Sequence, residues 1–317
     1  MRDEDKAQRV LSLYTRFIEG KVINKEQESY RFGVAQRTIQ RDFADIKRFL
    51  HEQNSKTGKS DAIVFDVNIG GYRLQTKDPG RLVPKEALAV CKVLLESRSL
   101  VKKEMTPIIK KILCSCGMKE DQKLVKGFIA NEMEHYVELQ HQKKLLDTLW
   151  ELEQAVKEQR YVEIHYTKLK GHQRVVRKVR PVGIMFSEFY FYLTAFIEDI
   201  NKEKEFKDPN DMFPTIYRID RLESMQIMEE HFHIPYSGRF EEGEFRKRIQ
   251  FMYGGHLKRI QFTYKGYSVE AILDRLPTAK VIEEVDDGIV IQAEVFGDGI
   301  DRWVKSQGDD ICDLTSC

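Results

Sequence analysis

Cysteine is scarce in this chain. Five occur in 317 residues, at 91, 114, 116, 312 and 317. An odd, sparse set excludes a disulfide framework and fits a reducing, cytoplasmic setting. Cys114-Ser115-Cys116 lacks zinc spacing and a nearby second ligand pair. His231-Phe232-His233 offers two imidazoles on one strand face, too few for a metal site. No apolar run approaches the ~18 residues that span a bilayer. The opening Met1-Arg2-Asp3-Glu4-Asp5-Lys6 leads into no apolar stretch, so no signal peptide is expected. Charge of one sign is also missing. Lys and Arg number 52 against 51 Asp and Glu, a net +1, so any charged partner must be met locally. There is no phosphate-cradling glycine loop, no G-x-S-x-G and no H-E-x-x-H. No carboxylate pair is marked for acid–base work. The expectation is a protein without enzymatic activity, cofactor or metal.

What remains is a chain long enough for two or three domains, with an ordinary apolar fraction of 41%. Residues 7–50 read as three short helices. Val10, Leu11, Leu13, Tyr14 and Phe17 recur at helical spacing, and Gly20 stops that helix. Asn24 can cap the next, with Gln27 three positions on. Phe32-Gly33-Val34 forms a turn. A third helix starts near Ala35, with Ile39, Phe43, Ile46 and Leu50 as one buried stripe. Its other face carries Gln36, Arg37, Gln40, Arg41, Lys47 and Arg48. Arg and Gln reach base edges in a major groove, and Arg and Lys reach phosphates. Residues 1–60 hold 13 basic and 9 acidic side chains, an excess of +4 where it would be useful. Strands at 63–67 and 72–75, joined by Asn68-Ile69-Gly70-Gly71, add a β wing.

Thr38-Ile39-Gln40-Arg41-Asp42, preceded by Gly33-Val34 and Gln36-Arg37, resembles the recognition-helix signature S-x-R-T-I-x-R-D of DeoR-like winged helix-turn-helix regulators. Ala35 stands where that family usually has a capping Ser, a loss of about 1 kcal/mol. The resemblance implies double-stranded DNA as a partner, with Gln36, Arg37, Thr38, Gln40 and Arg41 as its contacts.

Asp78-Pro79-Gly80 punctuates the end of this part. Residues 84–157 read as helical. Pro84 opens one helix, a second runs from about Thr106 to Cys114, and a last strong one carries Leu145, Leu149, Leu152 and Val156. The stretch 124–138 shows no clear pattern.

The centre of the chain is 181–196, two apolar, aromatic runs separated by Ser187-Glu188, which predicts a hairpin. Its aromatics are expected mostly in the core, leaving Tyr192 for contact. A basic strand, 174–180, precedes it, and Tyr217-Arg218-Ile219-Asp220-Arg221-Leu222 follows as another strand. An arginine-lined β module suits a phosphate or other anion, because planar guanidinium donors match it bidentately.

Ile164-His165-Tyr166, Arg177-Lys178-Val179-Arg180-Pro181, Phe191-Tyr192-Leu193 and Tyr217 to Leu222 occur in the order of the WYL domain, with Phe191 in place of its Trp. The resemblance covers roughly 143–232. It implies an Sm/SH3-like β-barrel that senses a nucleotide or single-stranded nucleic-acid fragment. Tyr192, Arg218 and Arg221 would form that effector site, with Arg177, Arg180 and His165 beside it. From about Phe245 the chain reads as a small βαβ-type domain, similar to the extension that follows WYL domains.

The expected architecture is therefore α+β and multidomain. A winged helix-turn-helix spans 1–78, a helical linker 79–142, a WYL barrel 143–235 and a C-terminal α+β domain 236–317. That plan implies a sequence-specific DNA-binding transcriptional regulator, cytoplasmic, with no membrane partner. One recognition helix reads few base pairs, so a homodimer is expected. The C-terminal domain would assist dimerisation or close over the effector. The rival reading is an accessory module that binds single-stranded nucleic acid and modulates a partner enzyme.

Overall fold

A computed structural model describes residues 2–57, 60–67, 69–75, 81–116, 119–168, 173–206, 213–234 and 240–316. Asn68, Asp78-Pro79-Gly80 and Cys317 lie outside the described residues. The chain divides into two compact units, Met1–Arg98 with Lys102–Val137, and Ser99–Val101 with Glu138–Cys317. Among the described residues no helix is long and apolar enough to cross a membrane.

The first unit opens with α1 (Arg2–Ile18), α2 (Lys25–Phe32) and α3 (Gln36–Thr57). The Asn24 side chain caps α2 by accepting from the Glu26 and Gln27 amides at 2.9 and 3.3 Å. Gly33 ends it in the left-handed conformation, φ 63°. The α3 stripe is buried as its period requires: Ile39, Phe43, Ile46 and Leu50 pack with Leu13, Phe17, Ile23 and Ile63. The helix continues to Thr57, past the expected Leu50, because no Gly or Pro interrupts it there. Arg9 of α1 is bound to the buried Asp42 of α3 through two bonds, Nε–Oδ2 at 2.6 Å and Nη2–Oδ1 at 3.2 Å. Strands β1 (Ala62–Asp66) and β2 (Gly71–Gln75) form an antiparallel hairpin. Ile23 and Tyr72 exchange two backbone bonds of 2.7 and 2.8 Å, which tie the hairpin to the helices.

Four helices follow, α4 (Pro84–Ser97), α5 (Lys102–Cys114), α6 (Lys119–Phe128) and α7 (Ala130–Glu134). Helix α5 begins before Thr106 and carries Pro107 inside it. The unpatterned stretch 124–138 is the end of α6 and the short α7.

The second unit begins with α8 (Leu146–Glu158). Its first sheet comprises β3 (Arg160–Thr167), β4 (Arg174–Ser187), β5 (Tyr190–Ile197), β6 (Thr215–Arg218) and β7 (Leu222–His231), with a short helix α9 (Lys202–Glu205) after β5. The order is β6-β5-β4-β3-β7, antiparallel throughout. A single 3-10 turn, Ile219–Arg221, joins the two edge strands. No ladder links β6 to β7 among the described residues, so the sheet is open and no closed barrel forms there.

Three details differ from expectation. The basic strand and the first arm of the hairpin are one 14-residue strand, β4, bulged between Pro181 and Gly183. Arg221 sits in the 3-10 turn and not in a strand. None of Phe186, Phe189, Tyr190, Phe191 and Tyr192 is buried; the core takes Val162, Ile164, Val179, Leu193 and Ala195. The reason is register. Strand β3 pairs with β4 only as far as Val179, so the hairpin runs beyond the body of the sheet.

The rest is α10 (Glu242–Arg248), β8 (Leu257–Tyr264), α11 (Val269–Arg275), β9 (Lys280–Val285), β10 (Gly288–Phe296), α12 (Gly299–Ser306) and β11 (Ile311–Ser316). The sheet order is β11-β8-β10-β9, all antiparallel, which replaces the expected βαβ arrangement. Ile272, Leu276, Ile300 and Trp303 from α11, α12 and their neighbours cover a face made by Ile260, Phe262, Ile291 and Ala293.

Candidate functional sites

In the first unit, burial of one stripe of α3 leaves the opposite face to solvent. Gln36, Arg37, Gln40 and Arg41 are exposed and Thr38 is half-buried. Neither Arg37 nor Arg41 has a carboxylate partner among the described residues, whereas the next residue, Asp42, is consumed by Arg9. Arg48 pairs with Asp45 at 2.7 Å and so presents less free charge. Four adjacent, unpaired donors at the start of one helix form a compact polar surface that can reach along a groove.

In the second unit, a cleft of about 490 Å³ opens beside β5 and β6. That falls within the ~300–1,000 Å³ of small-molecule sites. Tyr166, Tyr192, Arg218 and Arg221 line it together with Phe206, Phe213 and the segment 251–255. Arg218 is oriented by two partners. Its Nε and Nη2 donate to Asp220 Oδ1 and Oδ2 at 3.0 and 2.7 Å. Its guanidinium lies 3.4 Å from the centre of the Tyr190 ring, a cation–π contact. Asp220 is 5% exposed, so its charge is committed to Arg218. Arg221, on the same turn, pairs with no carboxylate among the described residues. Among the described residues lining the cleft, it is the cation without a carboxylate partner. Burial pushes the Tyr192 hydroxyl pKa up, against the opposing pull of Arg218, so this group stays a neutral donor. Tyr217 is buried behind, edge-on to Tyr166 at 5.2 Å, and its hydroxyl is pushed up by burial as well.

The cleft thus brings together Tyr192, Arg218 and Arg221 of the six expected effector residues. The other three are placed elsewhere. Arg177 pairs with Glu205 at 2.9 Å and does not line the cleft. Arg180 sits 3.6 Å from Glu198, with its guanidinium 5.2 and 5.9 Å from the Phe196 and Phe232 rings, in a neighbouring depression. His165 meets Glu163 at 3.3 Å. Alternation along β3 sends His165 to one side and Tyr166 to the other, and only Tyr166 reaches the cleft.

Tyr166, Phe206, Phe213 and residues 251–255 were not singled out from sequence. Tyr166 was within reach of the period-two argument. Gly254-Gly255 carried a signal too, since paired glycines outside a hairpin mark close backbone approach. Gly255 has φ 145°, and a Cβ there would lie 2.9 Å from Gly297 Cα. Among the described residues no three His, Cys, Asp or Glu side chains could hold a metal ion.

Chemically, the described residues of the cleft offer one guanidinium without a carboxylate, one fixed guanidinium, three phenol donors and three phenylalanine rings. Guanidinium donors of this kind can pair with an anionic group, and aromatic rings can stack on a planar one.

Comparison with known proteins bears on this unit. No curated protein matches the chain. Among solved structures, proteasome accessory factor B/C (PafBC) of Arthrobacter aurescens is 14% identical, with a TM-score of 0.29, covering 98% of this chain and 44% of that one. A structure described as a CRISPR Cas-related protein is 17% identical, with a TM-score of 0.33, covering 64% of this chain and 55% of that one. The chain therefore spans about half the length of each, and at these scores neither likeness supports an argument about fold or function. The family model of the WYL domain matches residues 147–227, from α8 through most of β7, and includes Tyr166, Tyr192, Arg218 and Arg221. Residues 147–227, which supply most of the cleft's lining, are a WYL domain.

Proposed function

We propose that this chain is a sequence-specific, DNA-binding transcriptional regulator whose WYL domain senses a nucleotide or a short single-stranded nucleic acid. One observation carries the reading. In a chain with nearly balanced charge, Arg37, Arg41 and Arg221 are left without carboxylate partners among the described residues, at two surfaces shaped for nucleic-acid chemistry. Three helices and a two-stranded hairpin support a winged helix-turn-helix, with α3 as the recognition helix. The edge strands β6 and β7, joined by one 3-10 turn, support an Sm/SH3-like barrel left partly open. The C-terminal segment 251–255 walls the effector cleft. The active species is a cytoplasmic homodimer on a pseudo-palindromic operator, because one helix reads few base pairs. Effector binding alters operator affinity only through different affinities for two arrangements of the protein.

Two measurements test this. Gel shifts with the DNA flanking the gene should show duplex binding that weakens with salt. Replacing Arg37 and Arg41 together by Ala should lower the slope of log K against log salt by about 2. An unchanged slope removes α3 as the recognition helix. Calorimetry with mononucleotides and thymidine oligonucleotides should show binding that Arg221→Ala weakens at least ~tenfold. Equal binding by the variant removes the cleft as the effector site. Single-strand binding without any duplex binding would favour the accessory-module reading instead.

A further inference from the structure

The chain enters the WYL unit through residues 138–145, and this entry is organised around one lysine. Leu139 is buried, and the Gln142 amide returns to its carbonyl at 3.2 Å. Gln142 takes φ 50°, the left-handed region, so the segment turns tightly. The His141 Nδ1 accepts the Lys143 amide at 3.0 Å, which leaves Nε2 to carry the proton of a neutral ring. That Nε2 is buried without a partner among the described residues. Asp220, Arg218 and Lys143 face the imidazole; burial lowers its pKa, Asp220 raises it, and the two cations lower it further. With its backbone fixed in this way, Lys143 extends Nζ to the Leu222 carbonyl, 2.8 Å away and 79 positions along the chain. Leu222 closes the 3-10 turn, its amide returning to Ile219. One ammonium therefore holds the end of the turn that carries both Asp220 and Arg221. Neither His141 nor Lys143 lines the cleft.

We propose that Lys143 is a positioning residue of the anion site, coupling the Asp220–Arg221 turn to the segment 138–145. The proposal rests on the effector-sensing reading above and adds the route by which occupancy is felt. That segment is where the chain passes from the first unit into the second. A displacement of Arg221 toward a bound anion moves the Leu222 carbonyl, and with it Lys143 and the turn at 141–143. Coupling of this kind is reciprocal, so disturbing either end must loosen the other.

The test is hydrogen–deuterium exchange on the full-length protein, read at the amides of 138–145 and 219–224. Without ligand, Lys143→Met should speed exchange in both segments, about tenfold for loss of a charge-assisted bond. Lys143→Arg, which keeps a cationic donor, should restore most of it. Asp220→Asn should speed exchange at 138–145 from the far end. Unchanged exchange at 138–145 in the Asp220 variant overturns the coupling. With a 5′-phosphorylated thymidine dinucleotide as probe, wild type should slow exchange at 138–145. Lys143→Met should bind the probe more weakly and, at saturating probe, still lack that response. A response preserved in the variant overturns the proposal. A probe that fails to bind wild type counts against the sensing reading, and the ligand-free arm still decides the coupling.

Discussion

The two units use the same pair of residue types differently. In α3 the order is Arg41-Asp42, and in the 3-10 turn it is Asp220-Arg221. In each place a buried Asp binds a second arginine through two bonds, and the neighbouring arginine has no carboxylate partner among the described residues. The difference lies in reach. Asp42 holds Arg9 from 33 positions away and joins α1 to α3, with side-chain exposures of 1% and 10%. Asp220 holds Arg218 from two positions away, with exposures of 4% and 20%. The first pair supports the fold of its unit. The second orients one guanidinium and a turn. An ion pair of given chemistry acts on the fold or on a site according to the sequence distance it closes.

Substitution can break this comparison. The largest effect is expected at Asp42. Asp42→Ala removes the buried carboxylate that holds Arg9 and should cost ~3–5 kcal/mol, read as lost exchange protection in α1 and α3. Retained protection would make the two pairs equivalent. Asp220→Asn should cost only ~1–3 kcal/mol, because Arg218 is partly solvated and can turn to water. Its main effect should be weaker effector binding.

Tyr217 gives a pH handle on the second unit. Burial raises its folded pKa above the ordinary value of 10, so above that pH the unfolded chain releases a proton that the folded one keeps. Stability is therefore fully present below pH 10 and falls as pH rises further, by about 1.4 kcal/mol per unit. Tyr217→Phe should flatten thermal stability between pH 10 and 11; an unaltered slope would assign the loss to other groups. The smallest stability effects are expected at the unpaired arginines. Arg41→Met and Arg221→Met should shift stability by no more than ~0.5 kcal/mol while impairing DNA and effector binding respectively. A large loss of stability in either would show that the arginine has a structural partner.

Much of this was legible in the sequence where one period decides. The α3 stripe from Ile39 to Leu50 and the hairpin around Ser187-Glu188 follow from spacing alone. That Tyr192, Arg218 and Arg221 lie near one another was legible too, because they sit in motif segments on adjacent strands. The paired state of each arginine was not legible. Nothing local distinguishes Arg177, neutralised by Glu205 of α9, from Arg221, which is free. That distinction depends on where a distant helix is laid down. The fate of the aromatics was equally hidden, since it is set by how far β3 pairs along β4. The wall at 251–255 comes from a part of the chain 30 or more positions beyond Arg221, and only its two glycines announced it.

Those glycines have a practical consequence. Gly255 and Gly297 meet main chain to main chain, and the Gly297 amide donates to the His256 carbonyl at 3.0 Å. The wall is therefore seated by backbone at Gly255, and by side chains at the buried Met252 and at Phe251, which packs against the core of the C-terminal sheet. Exchange of Tyr253, whose ring lies under Arg302, should reshape the cleft while the backbone seat at Gly255 is kept. A cleft whose wall is set in part by main chain is a convenient starting point for redesigning the lining one side chain at a time.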